Sequence, residues 1–375
     1  MLQLHIMKAV PFPPAQMRRS VQRLFSALLP AVLYGGLTAL ATADALAGEP
    51  AVRTPHIALV LPLNSPSFGR HADAVKQGFV AAARMEKIGA PPLRIYAVNE
   101  DTLNLLAIYE QAIELGAQLV VGPLTRNGVA ALAASNLVTV PTLALNTLEP
   151  RSPQPARLYL FGLAIELDAR QIAQLAISDG RRNAFLISDD TPFSKRMQQA
   201  FREEFARLSG MVVAEFAYGS DQTSLIKLRN AAKLGVADLA FLALDRARAV
   251  TVRPYLGNSL AIYATSQINA GSGPLAARDL DQVRFVDMPW LLQADHPAVM
   301  VYPRPQFGDA VDLERLYALG IDAFRIGLEL LRQNRAPVLD GVTGRIRLAR
   351  DQQFVRELTA AQYVDGKTVI LGETH

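Results

Sequence analysis

Five short polar stretches at the ends of apolar runs carry whatever chemistry this chain has. The clearest is LVVGPLTRNGVAAL, residues 119–132. An apolar run stops at Gly122-Pro123, and a helical pattern resumes after Thr125 and Asn127. Free N–H groups at the head of a helix, with a hydroxyl beside them, can hold an anion or simply cap the helix. It is not a P-loop: Gly122 is followed by Gly128, but Val129 stands where that motif needs lysine. Asn146-Thr147 closes the next run and can either face a ligand or lock its own turn. Asp189-Asp190 can offer an anion to an ammonium group or serve as plain N-terminal dressing of a helix. Ser266-Gln267 follows another run, and Ser65 and Phe68 lie on the loop after the first. There is no G-x-S-x-G elbow and no H-E-x-x-H. His56, His71, His296 and His375 are widely spaced. No catalytic constellation, metal site or cofactor is expected.

The elements that must position these residues begin after a leader. Met17-Arg18-Arg19-Ser20 and Arg23 precede an apolar run over 24–40, and Ala45-Leu46-Ala47 is an A-x-A cleavage site before Gly48. This reads as a secretory signal over residues 1–47, with Met17 as an alternative start. The run is shorter than a membrane span and is broken by Pro30 and Gly35-Gly36. The chain of 375 residues contains no cysteine. That excludes disulfides, a thiolate metal site and a lipidated cysteine after the signal, so a soluble periplasmic protein is expected. Of 38 Lys+Arg and 34 Asp+Glu, Lys8, Arg18, Arg19, Arg23 and Asp44 precede Gly48. The remainder is close to neutral and has no basic run, which gives no support to nucleic-acid binding.

Apolar runs from His56, Leu93, Leu119, Pro141, Asn183, Val212, Asp238 and Ala261 alternate with amphipathic stretches. Most lack strict alternation, as strands covered on both faces do. Leu105, Ile108, Tyr109, Ala112 and Ile113 recur at helical spacing. So do Leu313, Leu316, Tyr317, Gly320 and Ile321, continued by Phe324, Leu328 and Leu331. IALVLPLNSPSFGRHADAVKQGF and AFLISDDTPFSKRMQQAFREEF read as one strand–turn–helix unit used twice. The fold expected is α/β, with two doubly wound parallel-sheet lobes joined by a multi-crossing hinge. The first lobe is placed at residues 48–161 plus about 287–335. The second is placed at 162–286, with the hinge return at about 336–375. The segment 341–371 reads as two strands around a turn. Trp290, after Met288-Pro289, reads as hinge packing.

The strings IALVLPL, VVGPLTRNGVAAL, VPTLALN, YATSQINAG, VRFVDMPWLL, LYALGIDAFRI and GVTGRIRL, in this order, resemble the LppC/LpoA family of penicillin-binding protein activators. That family has the type I periplasmic binding fold of the Leu/Ile/Val-binding proteins. The resemblance implies a non-enzymatic protein whose partner is a class A penicillin-binding protein. Full family members are outer-membrane lipoproteins with an additional amino-terminal helical-repeat domain. Here no lipobox cysteine follows the signal, and IALVLPL starts directly after it. The alternative is the solute-binding component of an ABC importer, which takes a small polar solute and meets a membrane permease. In amino-acid-binding relatives, the positions matching Thr125, Asn146, Thr147 and Ser266 face the ligand. A cleft that has lost its ligand is expected to be plugged by Phe68, Arg70, Phe193 and Arg196.

Overall fold

The computed structural model describes residues 53–86, 89–149, 152–218, 222–269, 278–334, 337–349 and 351–372. The expected leader, residues 1–47, and the expected start at Gly48 lie outside the described residues.

The chain opens as alternating strands and helices: β1 His56–Leu61, α1 Gly69–Met85, β2 Leu93–Ala97, α2 Thr102–Glu114, β3 Ala117–Val121, α3 Arg126–Ala133, β4 Thr142–Ala144 and β5 Leu158–Leu160. The five strands form one sheet in the order β2-β1-β3-β4-β5, and every pair is parallel. The unbroken apolar run of β1 is explained by two covered faces. Ile57, Leu59 and Leu61 belong to one core cluster, and Ala58 and Val60 to another with Leu105, Tyr109 and Val129 of the helices behind.

The unit is then repeated: α4 Ile165–Ser178, β6 Asn183–Ser188, α5 Pro192–Arg207, β7 Met211–Ala217, α6 Gln222–Lys233, β8 Leu239–Ala243, α7 Arg246–Val252, β9 Ala261–Ala264 and β10 Val283–Asp287. In the second sheet, strands β7-β6-β8-β9-β10 repeat the order of the first. Leu239, Phe241 and Ala243 face one core cluster, and Ala240 and Leu242 the other. The two strand–turn–helix passages seen in the sequence are β1–α1 and β6–α5. Each is the inner strand at which the sheet order reverses, where open α/β sheets form their crevice.

After β10 come two one-turn helices, α8 Pro289–Leu292 and α9 Pro297–Met300, and then α10 Val311–Leu331. Helix α10 returns to the first sheet and packs on α1. Contact is close because two glycines face it. A Cβ on Gly78 would lie 1.9 Å from the carbonyl oxygen of Tyr317, and one on Gly320 would lie 2.1 Å from that of Val75. This explains the glycine within LYALGIDAF.

The last segment departs from the expected pair of strands. It holds five: β11 Val338–Gly341, β12 Gly344–Leu348, β13 Phe354–Glu357, β14 Thr359–Val364 and β15 Lys367–Ile370. The first three form a small antiparallel sheet. The other two add antiparallel to β10 as the edge of the second sheet. Tight turns divide the run. Val342-Thr343 links β11 to β12, and Asp365-Gly366, both at positive φ, links β14 to β15. The chain crosses between sheets after β5, between β10 and α10, and again before β14.

Candidate functional site

The crevice between the lobes is walled by the loops after β3 and β4, the starts of α4 and α5, and α10. Thr125 accepts the N–H of Gly128 at 3.2 Å and caps α3. Asn146 donates from Nδ2 to the carbonyl of Leu124 at 2.8 Å and accepts the N–H of Thr147 at 3.0 Å. Their polar atoms therefore hold the rim together.

What reaches across the crevice is charge. Arg126 opens α3, Glu166 lies in the first turn of α4 and Arg196 on α5. Oε1 of Glu166 accepts from Nη2 of Arg126 at 3.1 Å and lies 3.5 Å from Nε of Arg196. Arg126 also faces the exposed Glu149 at 3.5 Å. The guanidinium of Arg196 lies over the Phe193 ring, 5.7 Å from its centroid. On one side of this cluster is a cavity of about 700 Å³, whose wall includes Thr147, Glu149, Arg170, Lys195 and Gln353. On the other is one of about 210 Å³, whose wall includes Asn146, Leu145, Leu163, Phe193, Leu316 and Leu319. Both cavities share Arg126, Ala164, Glu166 and Arg196.

The other residues singled out in the sequence are engaged elsewhere. Ser65 donates to Glu100 at 2.5 Å and accepts the N–H of Phe68 at 2.8 Å. The hydroxyl, together with the N–H of Ser67, holds the Glu100 carboxyl below its usual range. Phe68 is 42% exposed and Arg70 is exposed, whereas Phe193 and Arg196 stand in the crevice wall. Asp189 turns to its own loop. It accepts from the N–H and hydroxyl of Thr191 at 2.8 and 2.5 Å and pairs with Arg248 at 3.3 Å.

Ser266 belongs to a buried network at the hinge. Its hydroxyl donates to Oδ2 of Asp168 on α4 at 2.8 Å, and Arg356 of β13 approaches Oδ1 at 3.4 Å. Burial pushes the Asp168 carboxyl up to about 6, against the pull of Arg356 and Ser266. Arg315 of α10 lies within 2.8–2.9 Å of Asp287 Oδ2 and the carbonyls of Ser266 and Asn269. One guanidinium thus ties the first lobe to the strand ends of the second. Two turns on, Asp322 is fully buried and accepts from the N–H groups of Val342 and Thr343, the Thr343 hydroxyl and Arg325. Trp290 is fully buried; it donates to Glu314 at 2.7 Å and lies under Arg304, 4.1 Å from its centroid. It packs the hinge.

Among the described residues, no cluster of His, Asp or Glu is disposed to hold a metal ion. Among the same residues, no helix is long and apolar enough to cross a membrane.

Comparison with known proteins places this geometry. The family model described as "LppC putative lipoprotein" matches residues 38–366. The Pantoea ananatis penicillin-binding protein activator LpoA is 28% identical over 309 residues, covering 70% of this chain and 45% of its own length. Its Haemophilus ducreyi counterpart is 26% identical over 322 residues, covering 83% and 54%. The chain thus spans about half the length of the curated relatives it matches. Among solved structures, the LpoA C-domain from Haemophilus influenzae, a regulator of PBP1A, superposes with a TM-score of 0.72 at 24% identity. That match covers 84% of this chain and 99% of the domain. A Chromobacterium violaceum protein described as a "putative branched-chain amino acid ABC transporter" superposes with a TM-score of 0.71 at 37% identity, covering 82% and 99%.

Proposed function

This chain belongs to the LppC family, and from that premise we propose that it is a periplasmic, non-enzymatic activator of a class A penicillin-binding protein. It would regulate peptidoglycan synthesis by protein–protein contact. The observation that carries this reading is the family match, which runs through both sheets and the hinge. The crevice is consistent with it, since Arg126, Glu166 and Arg196 pair across it without a solute. On this reading residues 1–47 are the cleaved signal, and the outer surface of the two lobes meets the synthase. Stable contacts of that kind bury about 1,200–2,000 Å² in total.

A second reading is favoured by the likeness to the Chromobacterium protein: a solute-binding component of an importer, with Thr147 and the larger cavity taking a small polar ligand. The two readings separate in one experiment. Immobilised class A penicillin-binding proteins are offered the purified full chain, and the same preparation is melted with a panel of amino acids. An importer's ligand at a hundred times its dissociation constant adds about 2.7 kcal/mol of stability. Capture by the synthase without a melting shift is expected. A solute-dependent shift without capture would replace the activator reading with the importer one.

A further inference from the structure

We propose that Arg126 and Arg196 form a carboxylate-binding site that Glu166 occupies from within the chain, so that an external apolar monocarboxylate binds by displacing it. The inference stands independently of whether the chain meets a synthase. It begins from a mismatch in the pairing. Two guanidiniums from different lobes converge on a single oxygen, Oε1 of Glu166. Oε2 is buried and accepts no hydrogen bond, and Nε of Arg196 is buried and donates none. A carboxylate has two oxygens and Arg a planar fork that matches them, and the pairing is strongest when both are used. Here the carboxylate is delivered by the first turn of α4, and its tether leaves half of that capacity unused.

The charge count points the same way. Among the described residues, the only other acid facing Arg126 in an ion pair is Glu149, at 3.5 Å with a side chain 77% exposed. Solvent-exposed pairs at that distance are weak. Among the described residues, removing Glu166 therefore leaves Arg126 with only the exposed Glu149 and Arg196 with no ion-pair partner.

The tail of the ligand is set by the smaller cavity, which opens beside the same three residues. Leu124, Leu145, Leu163, Phe193, Leu316 and Leu319 line its wall. At about 210 Å³ it is below the usual size for a drug-like ligand and suits a short chain. A carboxylate head on the two arginines and a short aliphatic tail in this chamber would satisfy both. An ammonium group is not required.

The probe is 4-methylpentanoate, titrated calorimetrically, with 4-methylpentanamide as the uncharged control. Glu166→Gln keeps the side chain's size and removes its charge. This variant is expected to bind the acid at least tenfold more tightly than the unmodified chain, and neither should bind the amide. Adding Arg196→Met to Glu166→Gln is expected to abolish the gain. Glu166→Ala supplies the same test should the glutamine variant fail to fold, its melting curve serving as the control. Equal affinity in variant and unmodified chain would overturn the proposal, because Glu166 would then not be the occupant. So would equal binding of the amide, or no heat for the acid from a folded variant.

Discussion

Replacing Asp168 with asparagine should remove a pH dependence that the hinge imposes on stability. Asp168 is 6% exposed, and burial raises its carboxyl from 3.8 to about 6. Arg356, Ser266 and Arg315 pull the other way, and Asp287 adds like charge. The folded chain therefore holds this proton more tightly than the unfolded chain does. Between about pH 4 and 6 the folded state binds more protons, so stability falls as pH rises through that window. One pKa unit is worth about 1.36 kcal/mol, which sets the cost at about 3 kcal/mol by pH 7. Asparagine keeps an acceptor for the Ser266 hydroxyl and cannot ionise. Urea unfolding of both proteins from about pH 4 to 7 gives the stability difference, in which other titrating groups cancel. The unmodified chain is expected to lose about 3 kcal/mol relative to Asp168→Asn across the window. A difference flat to within about 0.5 kcal/mol would refute the reasoning. A difference of opposite sign would mean that Arg356 outweighs burial.

Other substitutions probe the same frame. Arg315→Met removes the guanidinium that joins α10 to Asp287, Ser266 and Asn269. Leaving Asp287 buried without its cation should cost about 3–5 kcal/mol in urea unfolding. Gly320→Ala sets a Cβ 2.1 Å from the Val75 carbonyl, and this overpacking should cost about 1–3 kcal/mol by the same measurement. Gly78→Ala strains the same helix pair, so the double variant should cost less than the sum of the two. Asp189→Asn should change the affinity for any crevice ligand less than twofold, because Asp189 faces Thr191 and Arg248; calorimetry against such a ligand checks it.

Strands buried on both faces were easy to read, because their apolar runs are continuous and bounded by turn residues. The doubled unit was legible for the same reason, since β1–α1 and β6–α5 share a pattern as well as a place in their sheets. The end of the chain was harder. In β12, Ile346 is buried between exposed Arg345 and Arg347. These strands are only four to six residues long and are interrupted by turns, so five strands looked like two. The site was the least legible part. Ser266 stands at a strand end, as a ligand-facing residue would, yet its partner is Asp168, 98 residues earlier. The cross-lobe cluster of Arg126, Glu166 and Arg196 has no motif, and Glu166 resembles any acidic residue in a helix's first turn.

Four of the seven strings that carry the family resemblance meet at the hinge. Asp287 and Trp290 come from VRFVDMPWLL, Ser266 and Asn269 from YATSQINAG, Asp322 from LYALGIDAFRI, and Thr343 from GVTGRIRL. Buried ionic and hydrogen-bonded groups demand particular partners, which ties these residues to one another.

The most direct measurement is the rate of peptidoglycan synthesis by a purified class A penicillin-binding protein with increasing amounts of the full chain. An activator acting by contact predicts a saturable rise in rate, with half-saturation at the dissociation constant measured for the pair. An unchanged rate at concentrations well above that constant, or no binding at all, would contradict the account.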